Sequence, residues 1–174
     1  MEEPEERFDE RAYLAACGAE YRRSRLERGL SREALAELAD VHVNTVASVE
    51  RGEHDMTSTT QCRLLAALGC RSLVLRDNVD IIVLHEGEEA FPRADIQRMP
   101  YASIIAIIGG SVRGRRESSG LTLEALASVS GMHANTLWNI ERGLVCPKSS
   151  NIHRIYRALG ISVVTPDPER LILE

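Results

Sequence analysis

The sequence contains an internal repeat with a spacing of 91 residues. When residues 18–70 are aligned with residues 109–161 without a gap, 20 of the 53 positions are identical. Self-similarity at a fixed period indicates one structural unit built twice, so both copies must fold by the same rules. The identical pairs include Arg22 with Arg113, Arg25 with Arg116, Gly29 with Gly120, Leu35 with Leu126 and Leu68 with Leu159.

Residues 31–52 of the first copy predict two short helices joined by a tight turn. Ser31 is a suitable N-cap, because its hydroxyl can accept a hydrogen bond from a free backbone N–H of the first turn. Apolar residues recur at helical spacing in both segments. Gly52 suits the left-handed conformation that ends many helices. A short helix, a sharp turn and a second helix with small polar residues outward are typical of a helix-turn-helix.

Several short motifs occur in both copies and carry a resemblance to a known family. A helix ends in Arg-x-x-x-Gly, Leu-[Ser/Thr]-x-Glu-x-Leu-Ala follows, and then comes Asn-Thr-x-x-x-[Val/Ile]-Glu-Arg-Gly. A further helix, capped at Thr57 in the first copy, ends in Ala-Leu-Gly. Each copy resembles the Cro/repressor type of helix-turn-helix domain, often called the XRE family, over about two thirds of the chain.

The predicted fold class is mainly α, with two tandem lambda-repressor-like helix-turn-helix domains, each followed by a short β-hairpin. Runs of β-branched residues that flank a turn triplet favour the hairpins. Because a lone two-stranded hairpin is marginal in water, we expect the two to pair with each other or to join two chains as a homodimer. The predicted segments are an acidic tail at 1–8, domain 1 at 9–70, a hairpin at 71–85, a linker at 86–100, domain 2 at 101–160 and a C-terminal hairpin at 161–174.

The net charge of −5 is unevenly distributed along the chain. Residues 18–70 carry seven basic and eight acidic residues, for a net charge of −1, whereas residues 109–161 carry seven and three, for +4. The acidity lies mainly in the tails and the connector. DNA binding responds to local basic surface, so the overall charge is a poor argument against it.

Several classes of protein are disfavoured by composition. The four cysteines lack metal-ligand spacing and are expected to be reduced and mostly buried, and no metal or other cofactor is expected. No apolar run approaches the ~18 residues that span a bilayer, so no membrane partner is expected. Paired carboxylates, a nucleophile with a histidine and a phosphate loop are not recognisable, so the chain is expected not to be an enzyme. The expected location is cytoplasmic, nucleoid-associated and of prokaryotic or phage type.

The third helix of a helix-turn-helix lies in the major groove, and its N-terminal half presents side chains to base edges. Asn can pair with adenine through two hydrogen bonds, and small apolar side chains can contact a thymine methyl. The resemblance implies that Ser48 and Asn139 read bases; Asn135 is either a DNA contact or only a residue that starts the helix. The outward residues are His42, Val43, Asn44, Ala47 and Ser48 in the first copy, and His133, Ala134, Asn135, Trp138 and Asn139 in the second.

Charged residues of each copy divide into structural and DNA-binding candidates. The resemblance implies that Arg25 pairs with Glu50, and Arg116 with Glu141, to fix two helices relative to one another. His42 and His133 are interpreted as caps or phosphate contacts, because no second metal ligand lies at helical spacing. Leu123 replaces Arg32 in the second copy. The candidates for phosphate contacts are Arg22, Arg23, Arg32, Arg113, Arg115 and Lys148.

Three interpretations of Trp138 remain open: a contact to DNA, a contact to a protein, or a turned-in core position. The leading functional hypothesis is a sequence-specific, double-stranded DNA-binding transcriptional regulator, most simply a repressor bound to an operator. The alternative is a protein-interaction module, antitoxin-like or anti-activator, in which one repeat has lost DNA binding. In that case a regulatory protein is the partner.

Overall fold

The computed structural model describes residues 8–69 and 100–160, together with the backbone of three short strands between them. This part of the chain is mainly helical and contains two helix-turn-helix repeats of four helices each. Within it, no helix is long and apolar enough to cross a membrane. The first repeat consists of α1 (Glu10–Glu27), α2 (Arg32–Ala39), α3 (Val43–Glu50) and α4 (Ser58–Ala67), and the second of α5 (Tyr101–Ser118), α6 (Leu123–Val129), α7 (Ala134–Glu141) and α8 (Ser149–Ala158).

Side-chain caps define where several of these helices begin. Asp9, Ser31 and Thr57 each accept a hydrogen bond from the backbone N–H three residues later, at the start of α1, α2 and α4. Thr122 does the same at the start of α6. Such a cap pairs one of the N–H groups that a helix leaves free and stabilises it by about 1 kcal/mol. The N-caps predicted at Ser31 and Thr57 are confirmed.

Each repeat has its own aliphatic core, and the two cores meet at α4. Burial of one such aliphatic side chain contributes about 1.5–3 kcal/mol. Cys62 of α4 packs into the core of the second repeat, so the repeats share apolar surface. Core side chains that are at most 1% exposed include Leu35, Val46 and Leu64 in the first repeat and Leu126, Leu137 and Ile155 in the second.

Glycine allows the first and third helices of each repeat to approach closely. A Cβ at Gly18 in α1 would collide with the carbonyl oxygen of Val49 in α3. A Cβ at Gly109 in α5 would collide in the same way with Ile140 in α7. Close helix packing therefore accounts for Gly109. Gly110 faces open space, and nothing in the structure explains it.

The loops that precede α4 and α8 join the two repeats. Thr57 and Lys148 form an antiparallel β-bridge between these loops. Two backbone hydrogen bonds flank the bridge, one on each side. They run from the N–H of Ser58 to the carbonyl of Pro147 and from the N–H of Ser149 to the carbonyl of Met56, each at 2.8 Å.

Three strands lie between the repeats. β1 (Ser72–Arg76) pairs antiparallel with β2 (Val79–Leu84) on one edge and with β3 (Ala90–Pro92) on the other, so the strand order is β2-β1-β3. β2 also lies against α5. The segment predicted as a linker at 86–100 thus contains β3, whose backbone pairs with β1.

The two ends of the chain are described only in part. The C-terminal hairpin predicted at 161–174 lies outside the described residues, as do residues 1–7 of the predicted acidic tail. Phe8, the last residue assigned to that tail, instead packs its ring against Tyr13 at 5.6 Å and His153 at 5.4 Å between centroids. Contact with two aromatic rings gives Phe8 an apolar partner that a solvated tail would lack.

Candidate nucleic-acid interface

A buried ion pair fixes the end of the third helix in the first repeat. Arg25 of α1 donates from Nε and Nη2 to the two carboxylate oxygens of Glu50, at 2.5 and 3.0 Å. Its Nη1 donates to the carbonyl of Leu30, just before α2, at 2.7 Å. Burial alone would raise the pKa of Glu50, but hydrogen bonds from Arg25 and Arg32 outweigh burial and lower it. One guanidinium thus ties α1, the start of α2 and α3 together.

The second repeat contains the same arrangement. Arg116 donates from Nε and Nη2 to the two carboxylate oxygens of Glu141, at 2.6 and 2.9 Å. Its Nη1 donates to the carbonyl of Leu121 at 3.0 Å. The pKa of Arg116 is raised, chiefly by its hydrogen bonds to Glu141. Since every partner is displaced by 91 positions from the first repeat, α7 is held in the same way as α3.

Arg32 is the point at which the two networks differ. Its Nε donates to Glu50 at 2.7 Å, and its side chain is 40% exposed. Glu50 therefore accepts from two arginines, whereas the second repeat has Leu123 at the equivalent position. Arg32 remains a predicted phosphate contact, and its salt bridge to a buried carboxylate neutralises part of its charge.

A second arginine in each repeat holds the turn between the two helices of the motif. In the first repeat, Nη1 of Arg63 donates to the carboxylate of Asp40 at 3.0 Å. In the second, Arg154 donates from Nε to the carbonyl of Ser130 at 3.0 Å and from Nη2 to the carbonyl of Gly131. Neither arginine was among the predicted site residues. Arg63 and Arg154 occupy equivalent positions of the repeat, and this shared arginine could have indicated a common structural role.

The exposed face of α3 begins with a histidine cap. Nδ1 of His42 accepts a hydrogen bond from the backbone N–H of Asn44 at 3.1 Å. This nitrogen is therefore used in capping the helix. Asn44 is exposed, and Val43 and Ala47 are partly exposed. The hydroxyl of Ser48 lies 2.9 Å from the carbonyl oxygen of Asn44 and 3.1 Å from that of Thr45, so its proton is directed back into the helix.

The equivalent face of α7 is larger and more apolar. His133 occupies the N-cap position but makes no side-chain capping bond there, while Asn135 is exposed and Asn139 partly exposed. Trp138 is 39% exposed, which rules out the turned-in core interpretation. The guanidinium of Arg142 lies 4.5 Å above its ring. An open groove on this face is lined by Leu123, Ala134, Asn135 and Trp138.

The predicted phosphate-binding residues occupy several surroundings. Arg22 and Lys148 are exposed, and Arg115 is partly exposed. Arg113 donates to Glu117 at 2.8 Å, and this bond lowers the pKa of the glutamate. Arg23 bonds Glu20 and Glu27 on the surface of α1. Lys148 lies at the junction of the repeats, since its backbone forms the bridge to Thr57. Within residues 8–69 and 100–160, no cluster of three or more His, Cys, Asp or Glu could hold a metal ion.

Comparison with known families supports the helix-turn-helix assignment of both repeats. The profile of a family described as a helix-turn-helix domain matches residues 16–79 and again residues 107–167. Each match includes the two helices of one motif and the buried arginine–glutamate pair that fixes them. A comparison with curated proteins found no significant match. A comparison with solved structures found none either.

Proposed function

The chain belongs to the helix-turn-helix domain family, and on this basis we propose that it is a sequence-specific, double-stranded DNA-binding transcriptional regulator. The observation that carries the proposal is the presentation of α3 and α7. In both repeats a buried ion pair holds the C-terminal end of the helix, while Asn44 or Asn135 is exposed near its N-terminal end. The N-terminal half of a recognition helix is the part that meets base edges.

The side chains on these faces suit base reading. Asn44 and Asn135 can each pair with an adenine through two hydrogen bonds, and Ala47 can contact a thymine methyl. His42 and His133 start the two helices, where backbone N–H groups and the helix dipole favour a phosphate. Arg22 and Arg115, on the first helices, supply positive charge for the DNA backbone.

We propose repression as the mode of regulation. A repressor needs only to occupy its operator, and the described helices of this chain are used for two recognition units and for packing between them. Occupancy then depends on the concentration of the protein or on a partner protein. The expected location is the cytoplasm, on the nucleoid.

A second candidate function rests on the apolar surface of the second repeat. Leu144 and Val145 are 62% and 40% exposed, and they follow α7, which carries the exposed Trp138. Exposed apolar residues that cluster can mark a protein-binding surface. In this alternative the second repeat binds a regulatory protein, and DNA binding is left to the first repeat.

Selection of bound sites from a pool of random duplexes tests the proposal. The full-length chain should enrich a specific duplex, bind it in the nanomolar range and lose affinity steeply as salt rises, because phosphate contacts release counterions. The control is the double variant Asn44→Ala, Asn135→Ala, which keeps both cores and should lose the enrichment. Failure of the native chain to enrich any duplex at low salt would refute DNA binding.

The finer prediction about the hairpins is tested by deleting residues 162–174. Because both edges of β1 are occupied, a C-terminal hairpin would have to pair with the outer edge of β2 or β3, or with a second chain. Its loss should then expose a strand edge and change the size or solubility of the protein in sedimentation experiments. A soluble, fully folded product of unchanged oligomeric state would contradict this role.

A further inference from the structure

The junction between the repeats has local twofold symmetry. Residues 56–58 pair antiparallel with residues 147–149, and the Thr57–Lys148 bridge lies at the centre. Thr57 and Lys148 are 91 positions apart, which makes them equivalent in the internal repeat. The two flanking hydrogen bonds also exchange donor and acceptor between equivalent positions. When a segment pairs antiparallel with its own equivalent, the operation that exchanges the two is a rotation of 180° about an axis through the central pair.

The symmetry of the loops extends to the recognition helices if each repeat keeps the same internal arrangement. Equivalent ion pairs and close glycine contacts hold the first and third helices of both repeats, so a rotation that exchanges the loops is expected to exchange α3 and α7 as well. Six residues lie between Glu50, where α3 ends, and Thr57, so these two residues are at most about 25 Å apart in an extended chain. With about 5 Å between the bridged residues, the C-terminal ends of α3 and α7 are at most about 55 Å apart, a range that includes the ~34 Å between successive major grooves on one face of DNA.

Side-chain hydrogen bonds also connect the two repeats at the junction. The carboxylate of Asp55 accepts from the hydroxyl of Ser149 at 3.0 Å, and from the backbone N–H and hydroxyl of Ser150 at 3.2 and 2.6 Å. Lys148, the N-cap residue of α8, makes no side-chain capping bond, so Asp55 of the first repeat caps this helix of the second. At the equivalent position in the second repeat, Cys146 places its Sγ 3.6 Å from Thr59 Oγ1.

The recognition faces that this axis exchanges differ in chemistry. α3 offers Asn44 with the small Ala47 and a Ser48 whose proton is directed into its own helix. α7 offers Asn135 and Asn139 beside the bulky, exposed Trp138. A long amide that can form two hydrogen bonds and a short hydroxyl do not select the same base, and an indole in place of a methyl changes how closely a base edge can approach.

We propose that one chain is a fused, asymmetric dimer that binds a single duplex as a monomer and reads two half-sites in inverted orientation but of different sequence. This inference rests on the proposed DNA-binding function. The two helices are presented in opposite directions about the axis, as in a symmetric dimer, while each reads its own half-site. Linkage in one chain makes the second contact intramolecular, which raises affinity without a second subunit.

The first test uses the duplex selected by the full-length chain. Native mass spectrometry should show one chain per duplex, and footprinting should show two protected half-sites whose centres lie about one helical turn apart. Asn44→Ala should relax base preference in one half-site only, and Asn139→Ala in the other only. Two chains per duplex, a single protected half-site or two half-sites in direct repeat would overturn the inference while leaving DNA binding intact. A chain that selects no duplex would refute the proposed function itself.

The second test concerns the rigidity of the junction. Insertion of about half a helical turn between the half-sites should lower the affinity of the native chain about 100-fold, because both helices can no longer reach their grooves together. Asp55→Ala should reduce that penalty, since it removes the cap across the junction and leaves both cores intact; circular dichroism checks that the variant is folded. The matched control is Glu53→Ala, which changes an exposed acid of the same loop. Equal affinity of the native chain for both spacings would show independent repeats and overturn the inference.

Discussion

The two repeats share a framework and differ on the surface that it presents. Arg25 and Arg116 each donate three hydrogen bonds to equivalent partners. Two go to the carboxylate of Glu50 or Glu141, and one goes to a backbone carbonyl five residues after the arginine. At the exposed positions Ala47 corresponds to Trp138, and Ser48 to Asn139. A buried, bidentate pair allows little change in geometry, whereas an exposed side chain can change without affecting the fold.

The turn between the helices shows how the same geometry can be reached in two ways. Asp40 adopts a left-handed backbone conformation with φ 52°, and Gly131 adopts the equivalent conformation with φ 63°. Glycine does so without steric cost, while aspartate does so less readily. Arg63 reaches the side chain of Asp40, and Arg154 reaches the backbone around Gly131. Both repeats therefore place an arginine guanidinium at this turn, but the group that accepts its hydrogen bond is a side-chain carboxylate in one and a backbone carbonyl in the other.

The net charges of the two repeats differ by five. Residues 18–70 carry −1 and residues 109–161 carry +4. Acids of the same repeat pair with Arg23 and Arg32 in the first repeat, and with Arg113 in the second. Positive charge that is already paired contributes less to counterion release from DNA. We therefore expect the second repeat to contribute more to affinity.

The largest effect should come from breaking the framework in one repeat. Glu50→Ala leaves buried Arg25 without its carboxylate and also frees Arg32, so it should lower the free energy of unfolding by about 3–5 kcal/mol. Glu141→Ala should cost less, because Glu141 bonds a single framework arginine. Chemical denaturation of the full-length variants measures both, with Glu53→Ala as the surface control. Equal losses for the two variants would mean that Arg32 adds nothing to the first framework.

A smaller effect should separate the recognition faces. Asn139→Ala should weaken binding to the selected duplex by about 1–3 kcal/mol and relax the preference at one base pair. Ser48→Ala should cost less, because the serine proton is already used by a backbone carbonyl of its own helix. Titration of both variants against the same duplex makes the comparison. If Ser48→Ala is the more damaging, the first repeat is the main reader and the argument from charge is wrong.

The smallest expected effect is a change in the pH dependence of stability at the junction. There His153 of the second repeat occupies the position equivalent to Cys62 of the first. The ring of His153 stacks on Tyr13 at 4.5 Å, and its buried Nδ1 has no hydrogen-bond partner among the described residues. Burial, together with the charge of Arg157, lowers the pKa of His153. Burial raises the pKa of Cys62 to about 12, so the thiol stays neutral at ordinary pH.

Of these two residues, only His153 should therefore make stability depend on pH under mildly acidic conditions. Because the pKa of His153 is lower in the folded chain than its ordinary 6.5, its contribution to stability is complete above that value and is lost as pH falls through the folded pKa. Thermal unfolding between about pH 7.5 and pH 5 should show a flatter pH dependence for His153→Phe than for the native chain. His54→Gln, at an exposed histidine, is the control and should keep the native dependence.

The helices and their caps were predictable, because these depend on signals that lie close together in the sequence. Ser31 and Thr57, predicted as N-caps, begin α2 and α4. The arginine–glutamate pairs followed from a family resemblance that placed Arg25 near Glu50. Periodicity and capping residues specify a helix locally, so a repeated motif predicts the same helix twice.

The junction was not predictable from the same signals. The bridge between residues 56–58 and 147–149 uses backbone N–H and carbonyl groups, which every residue other than proline offers. Its side chains also differ between the copies, since Asp55 corresponds to Cys146 and Thr57 to Lys148. β3 was missed because three residues that end in Pro92 are too few to show an alternating pattern. The exposure of Trp138 could be established only from the packing of the residues around it.

The bridge between Thr57 and Lys148 also affects how this protein can change over time. In a dimer of identical chains, one substitution in the gene alters both subunits, so an improvement at one half-site is accompanied by the same change at the other. Here a codon for α3 has no effect on α7, although the two helices are held about one axis. In the proposed complex, each half of the binding site can therefore adapt to its own half-site in single steps, while the other half keeps the protein on the DNA.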